Sequence, residues 1–203
     1  MTRIVRDGRA YRSDLRAQQA ATTRDRILDA TVRVIAGGLA DVTVPAVARA
    51  AGVSVPTVYR HFRTKRDLLA ALQPYLQGRA GIDVNAPLGS IDDLRPTLVT
   101  LLSRMEGLDE VTRAALASPA AEQVRRVHAP ARFELVRRVI DAVAPQLADV
   151  DRERIARLLV ILTTSSAMRV WREHLGASVE QVADEIDQAV RAAIAAAPAE
   201  APR

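Results

Sequence analysis

Apolar residues recur along this chain at the three- and four-residue spacing of one helix face. Ile27, Leu28, Val32 and Ile35 show it first and predict a helix over residues 23–36. No stretch alternates convincingly between apolar and polar positions, which is the pattern of a half-buried strand. The sequence therefore predicts an all-α fold.

The helical spacing continues toward the C-terminal end and is interrupted by glycine and proline. Pro130 is expected to kink or interrupt the helical segment that leads into it, and the next helix is expected from residue 131. The expected helices beyond the first sixty residues are 65–77, 91–105, 109–117, 120–128, 131–143, 151–175 and 178–196. The predicted organisation is a flexible basic arm over 1–22, a head over 23–78, a helical body over 79–197 and a disordered tail over 198–203.

Residues 43–69 carry the most specific pattern, two short helices around a glycine turn and then a third helix. Gly52 suits the positive φ of a tight helix exit. Ser54 is a good N-cap, and Pro56 falls in the first turn, where a missing N–H costs nothing. Val58 and Phe62, four residues apart, are expected to point inward.

The third helix of this segment has its own start signal, because Thr64 and Asp67 have the spacing of a capping box. The second helix leaves hydroxyls and cations on its free face. A short helix of that kind, held on a scaffold, is what reading of the DNA major groove requires.

This segment, TVPAVARAAGVSVPTVYRHFRTKRDLL, and the upstream TRDRILDA at 23–30 resemble the DNA-binding head of the TetR family of bacterial regulators. The resemblance implies a helix-turn-helix head, a C-terminal helical bundle for ligand binding and dimerisation, and a double-stranded DNA operator as partner. It further implies a homodimer formed through residues 151–196, and a small-molecule effector that moves the heads apart.

Resemblance and helix geometry together name the residues expected to meet DNA. The candidates are Thr43, Ser54, Val55, Pro56, Thr57, Tyr59, Arg60, His61 and Lys65. Arg60 could make a bidentate contact to guanine, or it could touch only phosphate. Lys65 lies at a helix N-terminus, where an ammonium and backbone amides together suit a phosphate. Val44-Pro45 departs from the family pattern, which often has a polar DNA-contacting residue there.

Charge is distributed unevenly and agrees with the motif. Residues 1–80 hold 14 Lys/Arg and 6 Asp/Glu, a net of +8, whereas the remainder holds 15 and 18, a net of −3. Positive charge concentrated in the head is the electrostatic footprint expected for nucleic acid. The Arg-rich arm either follows the minor groove and phosphates or is a solubilising tail whose charges contact nothing.

The body offers weaker signals. The residues expected to line an effector cavity are Leu101, Met105, Phe133, Thr164, Ser165, Met168 and Trp171. The hydroxyl run 163–166 could bind a ligand, or it could bond back to carbonyls and allow close helix packing, which we favour. Arg137, Arg138 and Arg169 could neutralise an acidic effector if one of them points inward. Because aromatic residues are few, the expected effector is mostly hydrophobic.

Several classes of protein are disfavoured. The chain has no cysteine, and its three histidines have no metal-ligand partner at i+4, so no metal site, no cofactor and no enzymatic activity are expected. The longest apolar stretch is too short to cross a bilayer, which predicts a cytoplasmic protein without a membrane partner. The predicted function is a transcriptional repressor released from a palindromic operator by a small effector. The alternative is a constitutive or architectural DNA-binding protein.

Overall fold

The head is built on its first helix, α1 (Asp7–Ala36), against which α2 (Val44–Ala51) and α4 (Lys65–Ala80) pack, while α3 (Val55–His61) packs against α2. The structure, a computed structural model, describes residues 7–38, 42–83 and 88–198. The predicted apolar stripe of α1 is confirmed, since all four of its side chains are buried. The described residues contain helices and no strand, as the apolar spacing predicts.

The body continues with a short 3₁₀ turn, Ile91–Asp93, and a bundle of helices. These are α5 (Leu94–Glu106), α6 (Glu110–Ala117), α7 (Ala121–Val143), α8 (Asp149–Leu162), α9 (Ser165–Arg169) and α10 (Val179–Ala196). A π-helical turn, Val170–His174, follows α9. Within the described ranges, no helix combines the length and apolar character that crossing a bilayer demands.

The start of α1 corrects the predicted flexible arm. Residues 7–22 are helical, so the helix begins sixteen residues before the predicted position 23. Their alanine, arginine and glutamine residues are strong helix formers, and this propensity outweighs the high charge that suggested flexibility. Residues 1–6 lie outside the described residues, as do 199–203 of the predicted tail.

Pro130 does not end a helix, contrary to prediction. It lies inside the continuous α7, at an exposed position. Val124 and Val127 pack against the head core on one side of Pro130, and Val136 and Ile140 pack in the body core on the other. Burial at both ends holds the helix together across the proline, whose missing N–H and ring clash together disfavour a helix by about 3 kcal/mol.

The predicted helix over 151–175 is interrupted at the hydroxyl run. Thr163 Oγ1 donates to the Leu159 carbonyl at 2.6 Å, and Thr164 Oγ1 donates to the Ile161 carbonyl at 3.1 Å. Thr164 then caps α9 by accepting from the Ala167 amide at 3.1 Å. These local bonds compete with the helical ladder and divide the segment into α8 and α9. The predicted back-bonding of the hydroxyls is thus present at both threonines.

Head and body are joined by polar contacts as well as by α7. Asp29 of α1 accepts from the Tyr75 hydroxyl and from Arg79 Nη1 of α4, each at 2.7 Å. Arg79 also pairs with Asp109, which caps α6. Burial and the bond to Asp29 raise the pKa of Tyr75 to about 12, so the hydroxyl remains a donor. The helix α4 is therefore tied at its C-terminal half to both parts of the chain.

Candidate nucleic-acid interface and body cavities

The predicted capping groups are present at the start of the recognition helix α3 and at the start of α4, which follows it. Ser54 Oγ accepts from the Thr57 amide at 3.3 Å and lies 2.9 Å from Thr57 Oγ1. Beyond α3, Thr64 and Asp67 form the predicted capping box, with bonds of 3.0 and 3.1 Å. The Gly52 turn has the predicted positive φ, 63°. The backbone of the motif is thereby fixed without any contribution from DNA.

Two apolar side chains anchor α3 to the head core. Val58 and Phe62 are 1% and 4% exposed, which confirms that they point inward. The guanidinium of Arg24 lies 5.0 Å from the centre of the Phe62 ring, in cation–π geometry. The sequence pattern did not single out Arg24, because nothing in the spacing of α1 brings it to α3.

The free side of α3 presents Tyr59 and Arg60. Tyr59 is 47% exposed, and Arg60 is exposed as well. Pro56 is also exposed, whereas Thr57 is half-buried beside its cap and Val55 packs partly against the head core. The candidate residues on and beside α3 thus separate into side chains that point outward and side chains that cap or pack the helix.

His61 is more enclosed than the sequence suggests. Its Nε2 is buried and has no hydrogen-bond partner. Burial, together with the neighbouring charges of Arg60 and Arg24, lowers the pKa of this imidazole. A lowered pKa leaves the ring neutral at pH 7, so His61 presents no positive charge to a phosphate.

The remaining candidates lie at helix starts. Thr43 caps α2 by accepting from the Ala46 amide at 3.3 Å, and it is exposed. Lys65 is the first residue of α4 and is half-buried. Both residues lie at helix N-termini, where backbone amides favour anions. The exposed Arg63 and Arg66 flank this start and were not among the predicted residues.

The body contains two cavities of ligand size. The α5–α7–α8 cavity, of about 620 Å³, lies under the end of α4 and is lined by Leu101, Val136 and Arg132, among others. The α6–α9–α10 cavity, of about 460 Å³, is lined by Met105, Ser165 and Met168, together with three arginines. Volumes of this order are typical of small-molecule sites.

A third, smaller space lies where head and body meet. This junction cavity of about 170 Å³ is almost entirely apolar and is lined by head residues such as Leu72 and body residues such as Leu101, Met105 and Ser165. Phe133, Thr164 and Trp171, predicted to line a cavity, do not line any of the three. Phe133 and Trp171 pack against the body core, and Thr164 is used as the cap of α9.

Arg132 is the cavity residue that sequence reasoning missed. The three arginines that the sequence offered for an acidic effector lie elsewhere. Arg137 pairs with Asp141 and Asp149, and Arg138 is exposed. Arg169 lines the α6–α9–α10 cavity, and its Nη1 donates to the Ala117 carbonyl. Spacing along α7 does not distinguish Arg132 from its neighbours; only the packing of α8 against α7 does.

Comparison with known proteins identifies the head. Residues 27–72 match the family described as bacterial regulatory proteins, tetR family. Over 87 residues the chain is 36% identical to the HTH-type transcriptional regulator SrpR of Pseudomonas putida. It is also 36% identical over 87 residues to the uncharacterized HTH-type transcriptional regulator TtgW of the same species. These matches cover 42% of this chain, and 41% and 65% of the two relatives.

Solved structures share the fold over most of the chain. A transcriptional regulator from Rhodococcus sp. Rha1 superimposes with a TM-score of 0.56 at 24% identity, covering 86% of this chain and 97% of that one. A TetR-like transcriptional regulator from Rhodococcus sp. RHA1 gives 0.54 at 23% identity, covering 87% and 97%. At these identities the likeness concerns the fold, whereas the match at residues 27–72 concerns the sequence of the head itself. The head of this chain therefore matches the TetR family of bacterial regulatory proteins in sequence, and the whole chain resembles regulators of known structure in fold.

Proposed function

We propose that this protein is a sequence-specific DNA-binding transcriptional regulator of the cytoplasm that acts as a homodimer. The observation that carries the proposal is α3, a helix capped at its start and anchored by two buried side chains, with Tyr59 and Arg60 outward. A preorganised helix of this kind reads base edges, and the adjoining basic residues supply phosphate contacts. Thr43, Ser54 and Thr57 act at the ends of the motif, close to the sugar-phosphate backbone.

The partner subunit, in this proposal, covers the outer side of α8 and of the turns after it. Among the described residues, five of the eight exposed large apolar side chains fall between residues 150 and 175: Val150, Leu158, Ile161, Val170 and Leu175. A protein that stays monomeric rarely exposes so many in one segment. By contrast, the large side chains of α10 at Val182, Ile186 and Val190 are buried in the chain's own core. Within residues 151–196, the contact surface is therefore assigned to the first half.

A repressor released by an effector fits the body better than constitutive DNA binding does. The α5–α7–α8 and α6–α9–α10 cavities both exceed the roughly 300 Å³ of a small-molecule site. The α5–α7–α8 cavity is also lined by Gly81 and Ile82, which follow α4 directly. Arg104 of α5 lines it too and donates to the carbonyls of Ala80 and Gly81 at the end of α4. An occupant thus lies against the groups that hold the C-terminal end of α4.

Helix α4 is the proposed lever between effector and DNA. Its first residues border the recognition helix, and its last residues border the cavity. A mostly hydrophobic effector that fits the cavity better at one tilt of α4 favours one spacing of the two heads. Release from a palindromic operator follows, because both heads must reach half-sites about one DNA turn apart.

Selection of bound sequences from random DNA, at two salt concentrations, tests the function. We expect enrichment of a palindrome whose half-sites lie about one helical turn apart. Binding without enrichment that only fades as salt rises would instead establish phosphate-dominated association, as in an architectural protein. The selected operator then serves as the probe for titrations of variants.

Arg60 and Lys65 are expected to differ in how they contribute to binding. Arg60→Ala should relax the preference at one operator position, at a cost of about 1–3 kcal/mol, because it removes a base-edge contact. Lys65→Ala should weaken all sequences alike and reduce the salt slope by about 0.9, the value for one phosphate contact. Titrations of operator and random DNA at several salt concentrations measure both effects. Arg138→Ala, which removes an exposed arginine of the body, is the control for the loss of charge alone. If both head variants lost equal affinity for operator and for random DNA, this division of roles would be contradicted.

A further inference from the structure

Arg132 is an arginine in the wall of the α5–α7–α8 cavity, and the described residues supply it with no acidic partner. The ion pairs found among the described residues do not include it. Its Nη2 donates to the Thr163 carbonyl at 2.5 Å and to Thr163 Oγ1 at 2.7 Å. Its Nε is buried and has no hydrogen-bond partner. The two neutral oxygens of Thr163 therefore satisfy only part of the Arg132 guanidinium, and no negative charge compensates its positive charge.

Several other arginines of the body have carboxylate partners, whereas Arg169, which lines the α6–α9–α10 cavity, resembles Arg132 in having a buried Nε without a hydrogen-bond partner. Arg137, further along α7, pairs with Asp141 and Asp149. Arg152 and Arg191 likewise have carboxylate partners. Burial is the only cause that lowers the pKa of Arg132, with no acidic group raising it. An enclosed guanidinium still keeps its proton, so Arg132 places a positive charge at an otherwise largely apolar cavity wall.

The surroundings of Arg132 define what such a charge would hold. Leu101, Val136 and Leu159 supply aliphatic surface in the same cavity. Three other charged residues line it, Asp83, Asp93 and Arg104, and all three are exposed. Asp93 accepts from the amides of Gly89 and Ser90, each at 2.9 Å, and Arg104 donates to the carbonyls at the end of α4. Solvent screens exposed charges far more than enclosed ones. The positive charge of Arg132 therefore dominates the interior of the cavity, and the acidic residues lie at its outer edge.

We propose that the effector of this protein is an amphipathic carboxylate, whose acid group pairs with Arg132 and whose aliphatic body fills the α5–α7–α8 cavity. This inference rests on the proposed function and specifies the chemical class of its effector. Guanidinium and carboxylate match as planar, bidentate partners, and their charge-assisted bonds are about twice as strong as neutral ones.

The competing explanation is that Arg132 only caps the C-terminal end of α8. Cations favour that end of a helix, and Thr163 is the C-cap of α8. A cap of this kind predicts a loss of stability on mutation but no preference for a ligand head group. Head-group preference is therefore the readout that separates the two roles.

Calorimetry with decanoate, decanol and decylamine, below their aggregation concentrations, tests the proposal on the intact chain. These probes share an alkyl chain and differ in head group. We expect wild type to bind decanoate at least about tenfold more tightly than decanol, with decylamine weakest, as one charge-assisted hydrogen bond implies. Arg132→Gln should lose that preference while its decanol affinity stays unchanged, and Arg132→Lys should keep part of it. Arg138→Gln, on the exposed side of the same helix, should match wild type.

Three results would overturn the assignment: no binding of decanoate, a carboxylate preference that persists in Arg132→Gln, or an equal loss for decanoate and decanol together with a lower unfolding midpoint. The last is the signature of a cap. Calorimetry needs no DNA, so a negative result leaves operator binding untouched. Conversely, failure to select an operator would refute the regulator while leaving carboxylate binding measurable.

Discussion

Replacing Ile161 with arginine is expected to yield a monomer that no longer holds a palindromic operator at concentrations where the wild type saturates it. Ile161 is 63% exposed near the end of α8, within the apolar segment 150–175. A dimer that covers this face would have to bury an unpaired guanidinium, which costs several kcal/mol. The folded monomer, in contrast, accommodates arginine at an exposed site with little change in stability.

The expected loss of operator affinity is a hundredfold or more. Linking two heads makes the second half-site contact intramolecular, and such linkage contributes about 10² to 10⁴ in apparent affinity. Sedimentation or light scattering gives the oligomeric state, and titration of the selected operator gives the affinity. Binding to random DNA should fall less, because that association depends on phosphate contacts.

Val111→Arg is the matched control for this prediction. Val111 is 44% exposed on α6, outside residues 151–196, so the substitution adds the same charge to an exposed apolar site elsewhere. It should remain dimeric and should bind the operator as the wild type does. A dimeric Ile161→Arg, or a Val111→Arg that dissociates instead, would move the proposed interface away from α8.

The head was predictable from the sequence because its determinants are local. Ser54 and Thr64 cap helices that begin one residue later, and Gly52 supplies the one left-handed conformation of the turn. Each of these groups acts on amides within four residues of itself, so spacing alone identifies it. The family-specific Thr-Val-Tyr-Arg-His-Phe run at residues 57–62 then distinguishes this motif from other helix pairs.

Elements whose fate depends on distant partners were predicted less well. Pro130 ends a helix by local rules, yet α7 continues through it, because its two halves are buried in two different cores. At Thr163 the reverse occurs: the apolar periodicity predicts one continuous helix, but the threonine hydroxyls bond to nearby carbonyls and divide the segment into α8 and α9. In one case tertiary burial outweighs local preference, and in the other a local bond outweighs the periodic pattern.

The cavity residues show the same limit. Leu101, Met105, Ser165 and Met168 line cavities as predicted from their place in apolar helices, but Arg132 does so only because α8 ends beside it. A charged residue in the middle of a polar-looking helix face has no sequence signal for burial. The feature of Arg132 on which the proposed effector site depends is a guanidinium without a carboxylate partner. It can be recognised only once the ion pairs of the neighbouring residues are known.

Replacing Phe62 with alanine is expected to have the largest effect on the stability of the head. Phe62 is 4% exposed and is one of two buried side chains that hold α3, a helix of seven residues. Loss of a buried phenylalanine costs about 3–5 kcal/mol, and the variant also loses the ring that Arg24 covers. Against a total stability of about 5–15 kcal/mol, this loss removes between about a fifth of the free energy of unfolding and all of it.

Denaturant unfolding and operator titration over a temperature range measure the effect. Phe62→Leu is the control: it keeps apolar volume in the core and should lose less than about 1.5 kcal/mol, retaining operator binding. Tyr59→Ala, at an outward position of the same helix, should leave stability nearly unchanged and affect DNA binding alone. A Phe62→Ala variant that loses under about 1 kcal/mol would mean that the Ser54 cap of α3 and the Thr64 cap of the following α4 suffice to hold α3 in place. The recognition helix would then be positioned by its ends, and the core beneath it would be free to vary.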